Sequence, residues 1–183
     1  MKHASPKALL GFTVIEVMVV LALVGVLATL SMPSLRVLLN NQVLSNTASD
    51  FLSGAIQARS SALKANRRVL IQPVSGTDWR TGWFVYVDVN NNATYDASVD
   101  TLILTREALP TDVSIGSLTG SGDGLSVSLF AFGPDGFLEN ISGSYNGSVL
   151  MQSTFTSRKK YIVISRVGRA RICDPVATAG CEP

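Results

Sequence analysis

The sequence predicts an α+β fold, a long N-terminal α-helix packed against an antiparallel β-sheet or β-sandwich domain. Three observations predict it. Residues 17–35 hold no Asp, Glu, Lys or Arg; a narrow apolar stripe at helical spacing follows from Leu44; and beyond Asn66 short alternating runs are separated by turn residues. A chain of 183 residues has room for one globular domain plus an appendage. Charged residues make up 15% and hydrophobic ones 46%, and the formal charge of +2 is too small to argue for any partner by itself.

The first element lies in "KALLGFTVIEVMVVLALVGVLATLSMP", residues 7–33. Lys2 and Lys7 precede the apolar run, as in the basic region of a signal sequence. Three readings compete: a secretory signal cut after Ala28, a permanent single-span anchor, and cleavage before the apolar run, between Gly11 and Phe12. Glu16 discriminates among them. A carboxylate at bilayer depth costs about 2.5–3.5 kcal/mol on insertion scales, an expense that a disposable signal has no use for. In a chain that begins at Phe12, Glu16 lies one helical turn from a free amine and can neutralise the amine of an adjacent copy when helices pack side by side.

The helix is expected to continue to about Asn66, roughly 80 Å at 1.5 Å per residue. Leu44, Ala48, Phe51, Ala55, Ala58 and Ala62 recur with spacings of four and three, with Leu52 and Leu63 broadening the stripe. Asn46, Ser49, Asp50, Ser53, Gln57 and Ser60 form the opposite face. Such a half packs against a domain, whereas residues 12–35 suit lipid or other helices. Gly25 and Pro33 are the places where bending or local melting is expected.

Seven strands are expected, at 67–73, 82–88, 101–107, 125–132, 148–154, 160–166 and 169–173, with tight turns at "GPDG" (133–136) and "RVGR" (166–169). The Gly- and Ser-rich stretch 116–124 reads as a flexible loop. Cys173 and Cys181 are the only cysteines, with seven residues between them at the C-terminus. A bridge between them would pin the tail, contribute roughly 2–3 kcal/mol, and suit an oxidising compartment; free thiols or a weak metal pair are the alternatives.

Gly-Phe-Thr-x-x-Glu followed by an uninterrupted apolar run resembles the class III signal and N-terminal helix of type IV pilins and type II secretion pseudopilins. The resemblance implies a pilin-like fold, with 1–11 as a leader peptide removed by a prepilin peptidase. It makes Gly11 the residue before the cut, Phe12 the N-methylated new N-terminus, and Glu16 the assembly glutamate. It further implies 12–35 as the transmembrane and filament-core half-helix, 36–66 as the half packed on the domain, and 67–183 as the globular domain. The subunit would sit as a single-pass protein in the bacterial inner membrane and then join other pilins in a periplasmic or cell-surface filament. The Gly-Trp-Phe-Val strand, the Asp/Asn-rich loop, the Asp-Gly turn and a terminal Gly-Arg-x-Arg hairpin resemble the FimT/GspH group of minor pilins.

Two stretches carry candidate chemistry. In "DVNNNATYDASVD", Asp88, Asn90, Asn92 and Asp96 have the spacing of the first ligands of a calcium loop. However, Ala93 replaces the turn glycine and Val99 the bidentate glutamate, with Asp100 one position late, so a polar hairpin connection is the preferred reading and no metal is expected. In 158–171, Arg158, Lys159, Lys160, Arg166, Arg169 and Arg171 stand with no acidic residue, six of the fifteen basic residues in the chain. Arg169 and Arg171 are two apart, so a strand projects them from one face. That makes a surface able to pair bidentately with phosphate, or a solvated strand whose arginines meet carboxylates. In FimT-like minor pilins associated with natural transformation, a C-terminal Gly-Arg-x-Arg motif is implicated in DNA capture. Gly168, Arg169 and Arg171 match it, which implies double-stranded DNA as a partner. A purely structural pilus-priming subunit or a type II secretion pseudopilin is the alternative.

Catalysis finds little support. The single histidine, His3, lies ahead of the apolar run, no phosphate-binding loop precedes a helix, and nothing places Asp135 and Glu139 in a cleft. No cofactor is expected.

Overall fold

The computed structural model describes residues 12–118, 128–140 and 147–178. Residues 1–11, with Gly11, residues 119–127 and Cys181 lie outside them. The chain divides into two compact units, one ending at Leu38 and one beginning at Leu39.

Helix α1 (Val14–Ala65) contributes to both units. Its start is set by Thr13, whose Oγ1 accepts a hydrogen bond from the Glu16 amide at 3.3 Å, the Ncap-to-N3 bond of a Thr-x-x-Glu capping box. Its end is set by Asn66, which takes a positive φ of 49° while the Arg67 amide reaches back to the Ala62 carbonyl at 3.3 Å, the arrangement of a Schellman stop. The backbone is helical through Gly25 and Pro33, the places where the sequence predicts bending or local melting. In the first unit every described side chain is exposed, apolar ones included. Among the described residues no single helix is long and apolar enough to cross a membrane.

In the second unit the predicted stripe is the heart of the core. Leu44, Ala48, Phe51, Ala55, Ala58 and Ala62 are all buried. Leu52 is half-buried and Leu63 is exposed, so the stripe is narrower than expected. The stripe packs against two antiparallel sheets. The first has the order β3-β2-β1-β5-β6, from β1 (Val69–Ser75), β2 (Asp78–Val87), β3 (Thr101–Arg106), β5 (Phe130–Phe132) and β6 (Leu138–Glu139). The second has the order β4-β7-β8-β9, from β4 (Val113–Leu118), β7 (Gly147–Ser153), β8 (Lys159–Ile164) and β9 (Ala170–Cys173). Val69, Ile71, Val85 and Phe132 of the first sheet and Val149, Met151, Ile162 and Ile164 of the second join the stripe in one cluster. At its centre the Phe51 ring packs against Trp79, Trp83 and Phe130.

Two strands went unforeseen. β4 takes in residues 116–118 of the supposed loop, because a six-residue register with β7, from Val113 opposite Ser153 to Leu118 opposite Ser148, outweighs the poor strand propensity of Gly and Ser. The two-residue β6 carries no sequence signal and exists only by pairing with β5. β2 also begins four residues earlier than predicted. It is kept in register with β3 by Gly82, whose φ of 91° and crowding by the Arg106 and Glu107 backbone exclude any side chain.

Candidate functional site

The basic hairpin is β8, the turn 165–169 and β9, an edge of the second sheet. The turn closes with the Gly168 amide donating to the Ser165 carbonyl at 2.8 Å and the Ser165 amide to the Arg169 carbonyl at 3.0 Å. Gly168 has φ 73° and is buried, and a Cβ there would collide with the Gly136 carbonyl and stand 2.9 Å from Arg59 Nε. Arg59 Nε donates to that same carbonyl at 3.0 Å, and the Leu138 amide donates to the Arg166 carbonyl at 2.9 Å. The hairpin tip is therefore docked on α1 and on the 133–136 turn, and the glycine is the residue that permits the contact.

The strand register sorts the six cations. Ile162 and Ile164 face the core, so Lys160, opposite Met151, shares their face, while Lys159 shares the outer face with Tyr161 and Val163. Arg171 lies opposite Val163 on the outer face, and Arg169 stands just ahead of β9, where its carbonyl closes the turn. Both are exposed, and among the described residues neither has an ion-pair partner. Lys159 is on the right face but roughly 13 Å further along at about 3.3 Å per residue. Arg158 is drawn to Asp174 at 3.8 Å, and Arg166 is exposed in the turn. The hairpin thus carries Arg171 on the outer face of β9, Arg166 and Arg169 exposed in the turn, and Lys160 on the core side of β8. Cys173 is buried at the end of β9.

The acidic loop is organised by hydrogen bonds of its own. Asp88 is fully buried at its side chain and receives Arg68 through Nε at 2.9 Å and Nη2 at 2.5 Å, together with the amides of Asn92 at 3.1 Å and Ala93 at 2.9 Å. Burial by itself would raise this carboxyl, but the Arg68 guanidinium and the two amides hold it below the ordinary aspartate range. Asp100 accepts from the Val89 and Asp96 amides, and Asp96 accepts from Ser98. These carboxylates face N–H and O–H donors and tie the loop shut, and Tyr95 folds back onto Phe84 and Tyr86. Burial, reinforced by Asp88 and Asp100, pushes the Tyr86 phenol far above its usual range. Asp135 receives the Phe137 amide within its turn, and Glu139 reaches Arg68 at 3.6 Å.

At the other end of the chain, Phe12 and Glu16 line a shallow apolar cavity of about 280 Å³ with Val17, Val20 and Leu21. Sequence reasoning missed three residues: Thr13, Arg59 and Arg68. A Thr-x-x-Glu spacing was there to be read for Thr13; the partners of Arg59 and Arg68 are 77 and 20 residues away and left no local signal.

The family model described as type II transport protein GspH matches residues 47–168. Among solved structures the chain is similar to the type IV minor pilin FimU of Pseudomonas aeruginosa, with a TM-score of 0.57 and 16% identity over 78% of this chain and 97% of that one. A second crystal form of FimU gives 0.55 and 16% over 75% and 99%. The minor pseudopilin EpsH from the type 2 secretion system of Vibrio cholerae gives 0.50 and 7% over 72% and 96%. At these identities the likeness is one of fold. No curated protein matches the sequence.

Proposed function

The chain belongs to the GspH family of minor pilins and pseudopilins, and on that premise we propose that it is a minor pilin that enters a filament and binds extracellular double-stranded DNA through its arginine hairpin. One observation carries the DNA reading: Arg169 and Arg171 stand exposed at the turn and on the edge strand of a docked hairpin, without ion-pair partners among the described residues. Exposed guanidinium groups can pair bidentately with phosphate oxygens. Arg166 adds to the pair, Arg158 and Lys159 extend the field, and Lys160 contributes long-range charge only.

Gel-shift titration of the unit from Leu39 onward at two salt concentrations tests this. Arg169→Ala with Arg171→Ala removes two phosphate contacts and is expected to lower the salt slope by about 2. Binding as tight as that of the parent would remove the DNA reading. A second reading, a purely structural subunit or a type II secretion pseudopilin, is favoured by the Arg158–Asp174 contact, which shows a cation of this stretch engaged by a carboxylate. The same titration separates the two readings.

The filament reading draws support from the exposed apolar side chains of the first unit, which need a non-aqueous environment. In this reading a prepilin peptidase cuts between Gly11 and Phe12 and residues 12–35 hold the subunit in the inner membrane. Other pilins later surround the helix in a periplasmic or surface filament, and Cys173 pairs with Cys181 to pin the tail. Glu16 has two separable roles, as a charge for a neighbour's ammonium and as the N3 residue of its own capping box. Glu16→Leu removes both, while Glu16→Gln keeps a capping side chain and loses the charge. Both variants are expected to fall out of purified filaments, as judged by immunoblot against total subunit. Normal incorporation of the Gln variant would assign Glu16 to the cap.

A further inference from the structure

A groove of about 230 Å³ runs between α1 and the β2–β3 edge, with Asp50, Ser53, Gly54 and Gln57 on the helix side and Trp83 and Arg106 on the strand side. Two donors in its wall lack an acceptor among the described residues, the indole Nε1–H of the fully buried Trp83 and the guanidinium Nε–H of Arg106. They are neighbours by construction, since Trp83 stands opposite Arg106 in the β2–β3 register. Gly54 packs over the indole: a Cβ there would stand in van der Waals contact, 3.4 Å from Nε1 and 3.6 Å from Leu104 Cδ2. Buried donors are rarely left unmatched, and each unmatched one is costly.

Two residues that line the groove form an ion pair, Arg106 Nη2 to Asp50 Oδ2 at 3.0 Å, with both side chains nearly half exposed. An exposed pair of this kind contributes less than the two missing hydrogen bonds cost, so parting it to admit an acceptor is favourable. The pair also sets the ligand's charge. Asp50 already neutralises Arg106 and repels an anion, while offering an acceptor beside the two donors.

We propose that this groove receives a primary carboxamide, the side chain of an Asn or Gln on an extended segment of a neighbouring polypeptide. A carboxamide oxygen has two lone pairs for the two N–H groups, and its syn N–H points the same way, toward Asp50. A trans peptide group directs its N–H away from its carbonyl and cannot make both contacts from one edge. β3 is an edge strand of the first sheet, so the segment carrying the carboxamide can lie along it and gain main-chain hydrogen bonds. The site lies apart from the arginine hairpin and does not depend on the DNA reading.

The test uses the full chain in detergent micelles with indole-¹⁵N tryptophan. It is titrated with the blocked tripeptide N-acetyl-Thr-Asn-Thr N-methylamide and with its Thr-Asp-Thr counterpart. The Asn peptide is expected to move the Trp83 indole N–H downfield and saturably, with the Asp peptide roughly tenfold weaker or more. Gly54→Ala places a methyl over the indole nitrogen, and Arg106→Lys keeps a cation for Asp50 but has no Nε–H. Each is expected to weaken the Asn peptide several-fold while the chain stays folded. An indole unmoved by either peptide, moved equally by both, or as responsive in Gly54→Ala as in the parent overturns the proposal.

Discussion

Asp88→Ala is expected to lower the unfolding free energy by about 3–5 kcal/mol, the usual cost of removing one partner from a buried ion pair. The substitution leaves the Arg68 guanidinium, only 11% exposed, with the longer 3.6 Å contact to Glu139 in place of its buried carboxylate, and it strips the Asn92 and Ala93 amides of their acceptor. Urea denaturation followed by tryptophan fluorescence measures it. A loss within about 1 kcal/mol would show that the loop is held by Asp100 and the Tyr95 packing instead. The pH dependence has a definite sign. The folded-state pKa of Asp88 is depressed, so its contribution is complete above the unfolded value near 3.8 and disappears as pH falls through the lower folded value. The parent is therefore expected to lose stability more steeply than Asp88→Ala below about pH 4, and the two curves converge there. Asp78 and Asp96 are also lowered, by Arg80 and by Ser98 respectively, but both groups are in solvent and add little.

Phe51→Ala is expected to have an effect of the same size, about 3–5 kcal/mol for an aromatic truncated in a packed core. Phe51 is the only aromatic of the helix stripe, and its ring centroid lies 5.4 Å from Trp79, 5.1 Å from Trp83 and 6.1 Å from Phe130. Removing it vacates the point where helix and sheets meet, and the flanking Ala48 and Ala55 are too small to collapse into the space. Thermal unfolding by circular dichroism, with Phe51→Leu as a milder control, gives the value. Equal stability of Phe51→Ala and the parent would mean that the helix is held by its alanines alone.

The helix was legible because its signals are local. A Thr-x-x-Glu start, spacings of three and four, and an asparagine that adopts a positive φ all act within a turn or two. The strands rich in Val, Ile and Phe were legible for the same reason, as were both tight turns, whose glycines take the positive φ that the turns require. β4 and β6 were not, since their residues have little preference for the extended state and acquire it from β7 and β5. The acidic loop shows the same division. Its composition advertised polar chemistry, but the partner that decides the matter, Arg68, lies 20 residues earlier.

The site divides likewise. A chain read as letters already shows Arg169 and Arg171 two apart beside a glycine turn, the spacing that a strand projects from one face, whereas in the fold only Arg171 lies within β9. The letters also determine that an uncharged run carries a carboxylate at its edge. Only the folded molecule decides that Arg158 leans toward Asp174, that Lys160 turns to the core side, and that Gly168 is required by the carbonyl of Gly136. The reason is physical: periodicity and turn chemistry are set by bonds between near neighbours, whereas charge pairing and close approach depend on which distant segments the core brings together.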